Sequence, residues 1–171
     1  KKIVRTLPRE FRERFWKLLE TACEYHDYGK IHCKFQQKVG NKKVKCPRTL
    51  KEVKHNILSP LFLYLFEKEN LSEDELILTS LAVLNHHTIE EKSITPLLQK
   101  VENVLKQEFG LTDEDLIDYL ASILDTEYKV LENFFYEELP NFRKIYILLK
   151  GFLLRLDHIA SVKETTLKVE I

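Results

Sequence analysis

Four short segments carry the histidines and aspartates that could converge on divalent cations: His26-Asp27, His55, the His86-His87 pair and Asp157. Neutral imidazoles and carboxylates are ligands of first-row transition metals, and a carboxylate can bridge two ions that share one site. The chemistry such a set would support is hydrolysis at a phosphodiester, where clustered positive charge meets the phosphate and activates water. Taken singly, each segment is a weak signal. A lone histidine such as His55 is more often a helix-start or surface residue, and Asp157 alone is more often a structural acceptor or an ion-pair partner of a neighbour such as Arg155. His32 and His158 show no partner pattern. The combination and order of the other residues are what point to a metal centre.

Helices must bring these segments together. Pro8 suits a first helical turn, and Phe11, Phe15, Leu18, Leu19, Ala22 and Cys23 follow at helical spacing until Gly29, so His26 and Asp27 close the first helix. Adjacent helical residues lie about 100° apart, so His26 and Asp27 share a centre only if the helix points its end at it, and the same holds for His86 and His87. The lysine-rich stretch with Gly40 and Pro47 reads as an irregular, mobile connection. Helical pattern resumes from Lys54 through Phe66. Ser72 and Glu75 then form a capping box opening a helix with Leu76, Ile77, Leu81, Val83 and Leu84, which ends near His86 and His87. Further helices are expected over 95–109, from a Thr112/Asp115 capping box to Asp125, over 128–138, and over 141–162, the last carrying Asp157.

The fold class this predicts is all-α. The 171 residues, 44% of them hydrophobic, suffice for one substantial core, and no block of different composition divides them, so one domain over 1–171 is expected. Only four glycines and five prolines punctuate the chain, which favours long helices over the turns of a β-sandwich. No apolar stretch reaches the roughly 20 residues of a transmembrane helix, and the N-terminus is basic rather than signal-like, so a cytoplasmic location without a membrane partner is expected. Cys23, Cys33 and Cys46 form no C-x-x-C pair and leave an odd one out, so reduced thiols are expected rather than a disulfide framework or a cysteine zinc site. Net charge is zero, yet nine basic residues between Lys30 and Lys54 face the single acid Glu52, making that stretch net positive by eight. Concentrated charge of this kind is a footprint for phosphates; a solvated loop kept soluble by lysines is the plainer alternative. The chain has no G-x-x-x-x-G-K-[ST] loop, so ATP is not expected to bind.

His26-Asp27-Tyr28-Gly29-Lys30 followed by Phe35-Gln36 resembles the HD-x-G-K…F-Q signature of the HD nuclease domain of CRISPR-associated type I interference helicase-nucleases. His55-Asn56-Ile57-Leu58-Ser59 is similar to that family's next histidine segment, His86-His87 to its paired histidines, and Leu156-Asp157-His158-Ile159-Ala160-Ser161 to its terminal aspartate-and-serine motif. HD alone is shared by a broad phosphohydrolase superfamily; Phe35-Gln36 and Ala160-Ser161 narrow it.

The resemblance implies a helical HD bundle in which His26, Asp27 and Asp157 serve one metal, while Asp27, His55, His86 and His87 serve a second. Asp27 and Lys30 would be the catalytic residues, with Lys30, Lys34 and Ser161 meeting substrate. It also implies two divalent ions, and histidine-rich ligation favours Mn, Fe, Co or Ni over Mg. Single-stranded DNA would be the substrate, and a helicase subunit or fused helicase domain and a CRISPR surveillance complex the partners. The family normally has a further histidine upstream of HD, and none precedes His26. As the chain opens on Lys1 rather than methionine, a missing N-terminal helix is expected; failing that, the first metal site is degenerate. Two other readings stand beside this one: an HD phosphohydrolase of nucleotide monomers or cyclic nucleotides, and a non-catalytic helical module whose basic loop docks a helicase or another CRISPR subunit.

Overall fold

The computed structural model describes residues 9–89, 93–132 and 140–169, and every regular element among them is helical, as expected. In chain order these are α1 (Arg9–Tyr25), α2 (Cys33–Lys38), α3 (His55–Glu67), α4 (Glu73–Leu84), α5 (Ile94–Val104), α6 (Glu114–Glu132) and α7 (Pro140–Val169). A 3₁₀ turn at Tyr28–Ile31 precedes α2, and a π turn at Leu105–Phe109 extends α5.

The centre is built on α3 and α4, which pack against each other. In α3 every side chain from Asn56 to Leu63 is buried, and α4 buries Leu76 and then Leu78 through Leu84. Helices apolar around most of their circumference must be covered on several sides. Accordingly α1 and α7 pack on α4 and on each other, while α6 lies against α3, α4 and α5. The face that α1 buries is Phe15, Leu18, Leu19, Ala22 and Tyr25, matched by Ile145, Tyr146, Leu149 and Leu153 of α7. Truncating one of these fully buried leucines to alanine costs about 2–5 kcal/mol.

The Ser72/Glu75 capping box forms as expected and sets the start of α4. Other boundaries differ. Asp113, not Thr112, opens α6, its carboxylate accepting the Asp115 N–H at 3.0 Å. That helix runs past Asp125 to Glu132, because Leu116, Leu120, Ile123 and Leu124 keep helical spacing and no glycine or proline interrupts. Pro8 and the remainder of the helix expected over 128–138 lie outside the described residues. The segment expected as one helix over 95–109 changes to π geometry at Leu105 and stops at Gly110, whose φ of +67° is the left-handed conformation that glycine accepts most readily.

The basic connection is more ordered than its sequence suggests. It contains α2, an ion pair between Lys38 and Glu52 at 2.9 Å, and a disulfide between Cys33 and Cys46. The expectation of three free thiols is therefore corrected: only Cys23 is free. A loop returning over thirteen residues brings the two Cα atoms to 5.4 Å, a pairing that a search for C-x-x-C misses.

Candidate metal centre

Three chain reversals meet at one place. The first is the exit of α1. The His26 N–H still bonds the Ala22 carbonyl, so its ring leaves from the last helical turn, and Nδ1–H donates to the Cys23 carbonyl at 2.7 Å. A carbonyl only accepts, so Nδ1 carries a proton and Nε2 faces the site. That atom lies 3.4 Å from Asp27 Oδ2 and 3.6 Å from Asp157 Oδ1, the latter brought in by α7.

The second reversal is the start of α3, where His55 Nε2 stands 3.4 Å from Asp27 Oδ1. Asp27 thus turns one oxygen to His26 and the other to His55. The third is the end of α4, where His86 and His87 follow the last helical residue. His86 Nδ1–H donates to the Val83 carbonyl at 2.5 Å, and its Nε2 lies 3.2 Å from that of His55. The His87 ring centroid is 4.9 Å from that of His55 and 4.2 Å from that of His86. Two donor sets result, His26/Asp27/Asp157 and His55/His86/His87, the ligand atoms within each lying within 4.8 Å of one another.

Two residues on α3 hold this arrangement, and sequence reading had assigned a role to neither. Asn56 donates its side-chain amide to the carbonyls of Leu84 at 2.7 Å and His87 at 3.2 Å, fixing the turn that carries the histidine pair. Ser59 accepts the Gly29 N–H at 2.9 Å and donates to the His26 carbonyl at 2.8 Å, clamping both sides of the His26-Asp27 turn. Both lie within the His55–Ser59 segment. The available signal was two polar residues on the buried face of an apolar helix, where they require partners.

The electrostatics suit cation binding. Burial is the main cause pushing His55 and His86 down to about 4, with neighbouring imidazoles contributing, so both rings are neutral at neutral pH. Burial alone would raise the Asp27 carboxyl, but the Lys30 hydrogen bond, aided by the ammonium charge, outweighs it and holds the carboxyl below its usual value. With its proton on Nδ1, neutral His86 presents a lone pair at Nε2 within 3.2 Å of a second imidazole nitrogen. Neutral imidazoles converging beside an ionised carboxylate are the donor chemistry that a transition-metal ion fits.

Lys30 reaches back to Asp27, its Nζ 2.6 Å from Oδ2, and is 38% exposed. Lys34 is half-buried in α2, and Ser161 is exposed one helical turn beyond Asp157. A groove of about 360 Å³ lies beside His55 and His87, lined also by Phe35, Lys38, Glu52 and Lys54. Phe35 packs edge-on to His55, with ring centroids 5.6 Å apart, and Gln36 bonds the Lys30 carbonyl at 2.7 Å.

An all-helical frame that presents a His-Asp turn, further histidines from two other helix ends and a late aspartate defines a metal-dependent hydrolase of the HD type. Comparison with known families makes this specific. The family described as "Cas3, HD domain" matches residues 2–166, and the chain belongs to it. Membership carries a metal-dependent, nuclease-type function in CRISPR systems. No curated protein and no solved structure gives a match. Among the described residues no helix is long and apolar enough to cross a membrane.

Proposed function

We propose that residues 1–171 act as one HD nuclease domain that degrades single-stranded DNA during CRISPR antiviral defence, using two divalent ions that share Asp27. In this reading His26, Asp27 and Asp157 hold one ion, and Asp27, His55, His86 and His87 hold the other. Bound ions of Mn, Ni, Fe, Co or Mg supply Lewis-acid charge at the phosphate and activation of water. The protein supplies position: Asn56 and Ser59 fix the turns bearing the ligands, and Asp27 contributes one oxygen to each side. Lys30 is a cation at the Asp27 edge, placed to meet a substrate phosphate, with Lys34 and Ser161 as further substrate contacts. A helicase, fused or separate, would deliver the strand.

The observation that carries the reading is Asp27 facing two donor sets with its two oxygens. Its polymer substrate is supported by the groove, whose lining residues Lys38, His87 and Thr88 are exposed, and by the exposed Lys42, Lys43, Lys45, Arg48 and Lys51 of the basic connection. A mononucleotide enzyme would instead enclose base and sugar.

The test is to offer the chain labelled single-stranded DNA and a panel of mononucleotides and cyclic nucleotides, each with Mn, Ni or Mg. Cleavage of the strand alone supports the proposal. Hydrolysis of the monomers alone would replace it with a nucleotide phosphohydrolase, and inactivity on both would favour a docking module.

A further inference from the structure

A third cluster of ligand-type side chains lies apart from Asp27, where α2 meets the π turn. His32, Cys33 and Glu108 each offer a donor atom, and these atoms all lie within 4.8 Å of one another. Cys46 is bonded to Cys33 and so brings a second sulfur to the same place. The cluster is interior: His32 is fully buried, Cys33 is 3% exposed, and the Glu108 side chain is 14% exposed.

One feature of this cluster is costly for a purely structural contact. His32 Nδ1 lies 2.5 Å from Glu108 Oε2, while the other ring nitrogen, Nε2, is buried without a partner. A neutral ring leaves a lone pair unmet there and a protonated ring leaves an N–H unmet, and either is penalised in the interior. Glu108 itself is paired, its other oxygen accepting the Cys33 N–H at 2.6 Å, so it is already bound to two members of the cluster. It is supplied by a π turn, a geometry that recurs where a side chain is aimed at a functional site.

We propose that His32, Cys33, Cys46 and Glu108 are the ligands of a separate structural metal site of the zinc type, and that the Cys33–Cys46 disulfide is its oxidised, metal-free form. In a reducing compartment a dithiol reductant passes two electrons to the disulfide and is itself oxidised to a disulfide, and each protein sulfur takes up one proton. A divalent ion then displaces those two protons as the thiolates bind. Two thiolates, a carboxylate and a neutral imidazole form a closed four-ligand set that, together with a divalent ion, has a net charge of −1, set in a segment rich in lysine. The site would hold both ends of the Lys34–Lys45 loop to the π turn and so fix Phe35 against His55. This inference does not depend on which substrate the Asp27 centre cleaves.

The test adds cobalt(II) alone to the full chain kept reduced with a phosphine. Thiolate-to-cobalt charge-transfer absorption in the near ultraviolet reports this site specifically, because the Asp27 centre contains no cysteine. The expected result is one equivalent of cobalt giving that absorption, retained in Asp27→Ala and lost in Cys46→Ser. As a check that needs no variant, zinc should protect Cys33 and Cys46, but not Cys23, from alkylation by N-ethylmaleimide. Absence of the absorption from the reduced chain, its loss in Cys23→Ser instead, or equal alkylation of all three thiols in zinc would overturn the proposal.

Discussion

Gly29 packs directly on the backbone of His55: a Cβ at position 29 would lie 2.7 Å from the His55 Cα and closer still to its carbonyl oxygen. The His26-Asp27 turn can approach the start of α3 only because that atom is missing. The obstacle is backbone, which cannot rotate away. Gly29→Ala is therefore expected to destabilise the fold by about 3 kcal/mol, the upper end of the range for overpacking, and to separate Asp27 from His55. Thermal melting with and without Mn would check this, the variant losing both stability and the metal-induced rise.

Asn56 ties α3 to the turn bearing the histidine pair through two carbonyls. Asn56→Ala leaves the buried Leu84 carbonyl without this donor, costing about 1–3 kcal/mol. Loss of the support for His86 and His87 should also weaken metal binding by about 10–100-fold. Titration calorimetry with Mn on the folded variant measures the second effect separately from the first.

Acid should destabilise the metal-free protein. His55 and His86 sit near 4 in the folded chain against 6.5 for free imidazole, chiefly through burial. Between those values the unfolded chain binds more protons, so the stability they contribute is complete above the unfolded pKa and is lost as pH falls towards the folded one. The melting temperature without metal should be lower at about pH 5 than at about pH 7.5, and the slope should shrink in His86→Asn. A flat profile would contradict this.

If the exposed lysines of the basic connection lie on the proposed DNA path, DNA binding should be salt-dependent. For a single strand the slope of log affinity against log salt is about −0.7 per phosphate neutralised. Replacing Lys42, Lys43 and Lys45 with glutamine should reduce that slope as well as the affinity, read by fluorescence anisotropy in an Asp27→Ala background, where cleavage is expected to be lost. An unchanged slope would remove this segment from the DNA path.

How much of this was legible in the sequence depended on whether the cause was local. Helical spacing and the Ser72/Glu75 box are encoded within a few residues, so the all-α frame and the start of α4 could be read directly. His26, Asp27, His55, His86, His87 and Asp157 were picked out by type and order, and the structure brings all six together, because each sits at or near a helix end or on a long helix facing the others. The contributions of Asn56, Ser59 and Glu108 depend on partners 28 to 76 positions away and could not be read locally. His32 escapes a local reading for the same reason: its partner is a glutamate on the far side of four helices in sequence. The π turn at Leu105 carries no residue that breaks an α-helix before Gly110, so spacing alone gave one uninterrupted helix.

Sharing of Asp27 by two ions can be read from the amount of Mn bound at saturation, measured by equilibrium dialysis and elemental analysis under non-reducing conditions, where Cys33 and Cys46 stay bonded. Two ions per chain are expected, with binding lost from both sites in Asp27→Ala. A single tightly held ion in the unaltered chain, or two ions retained in Asp27→Ala, would contradict it.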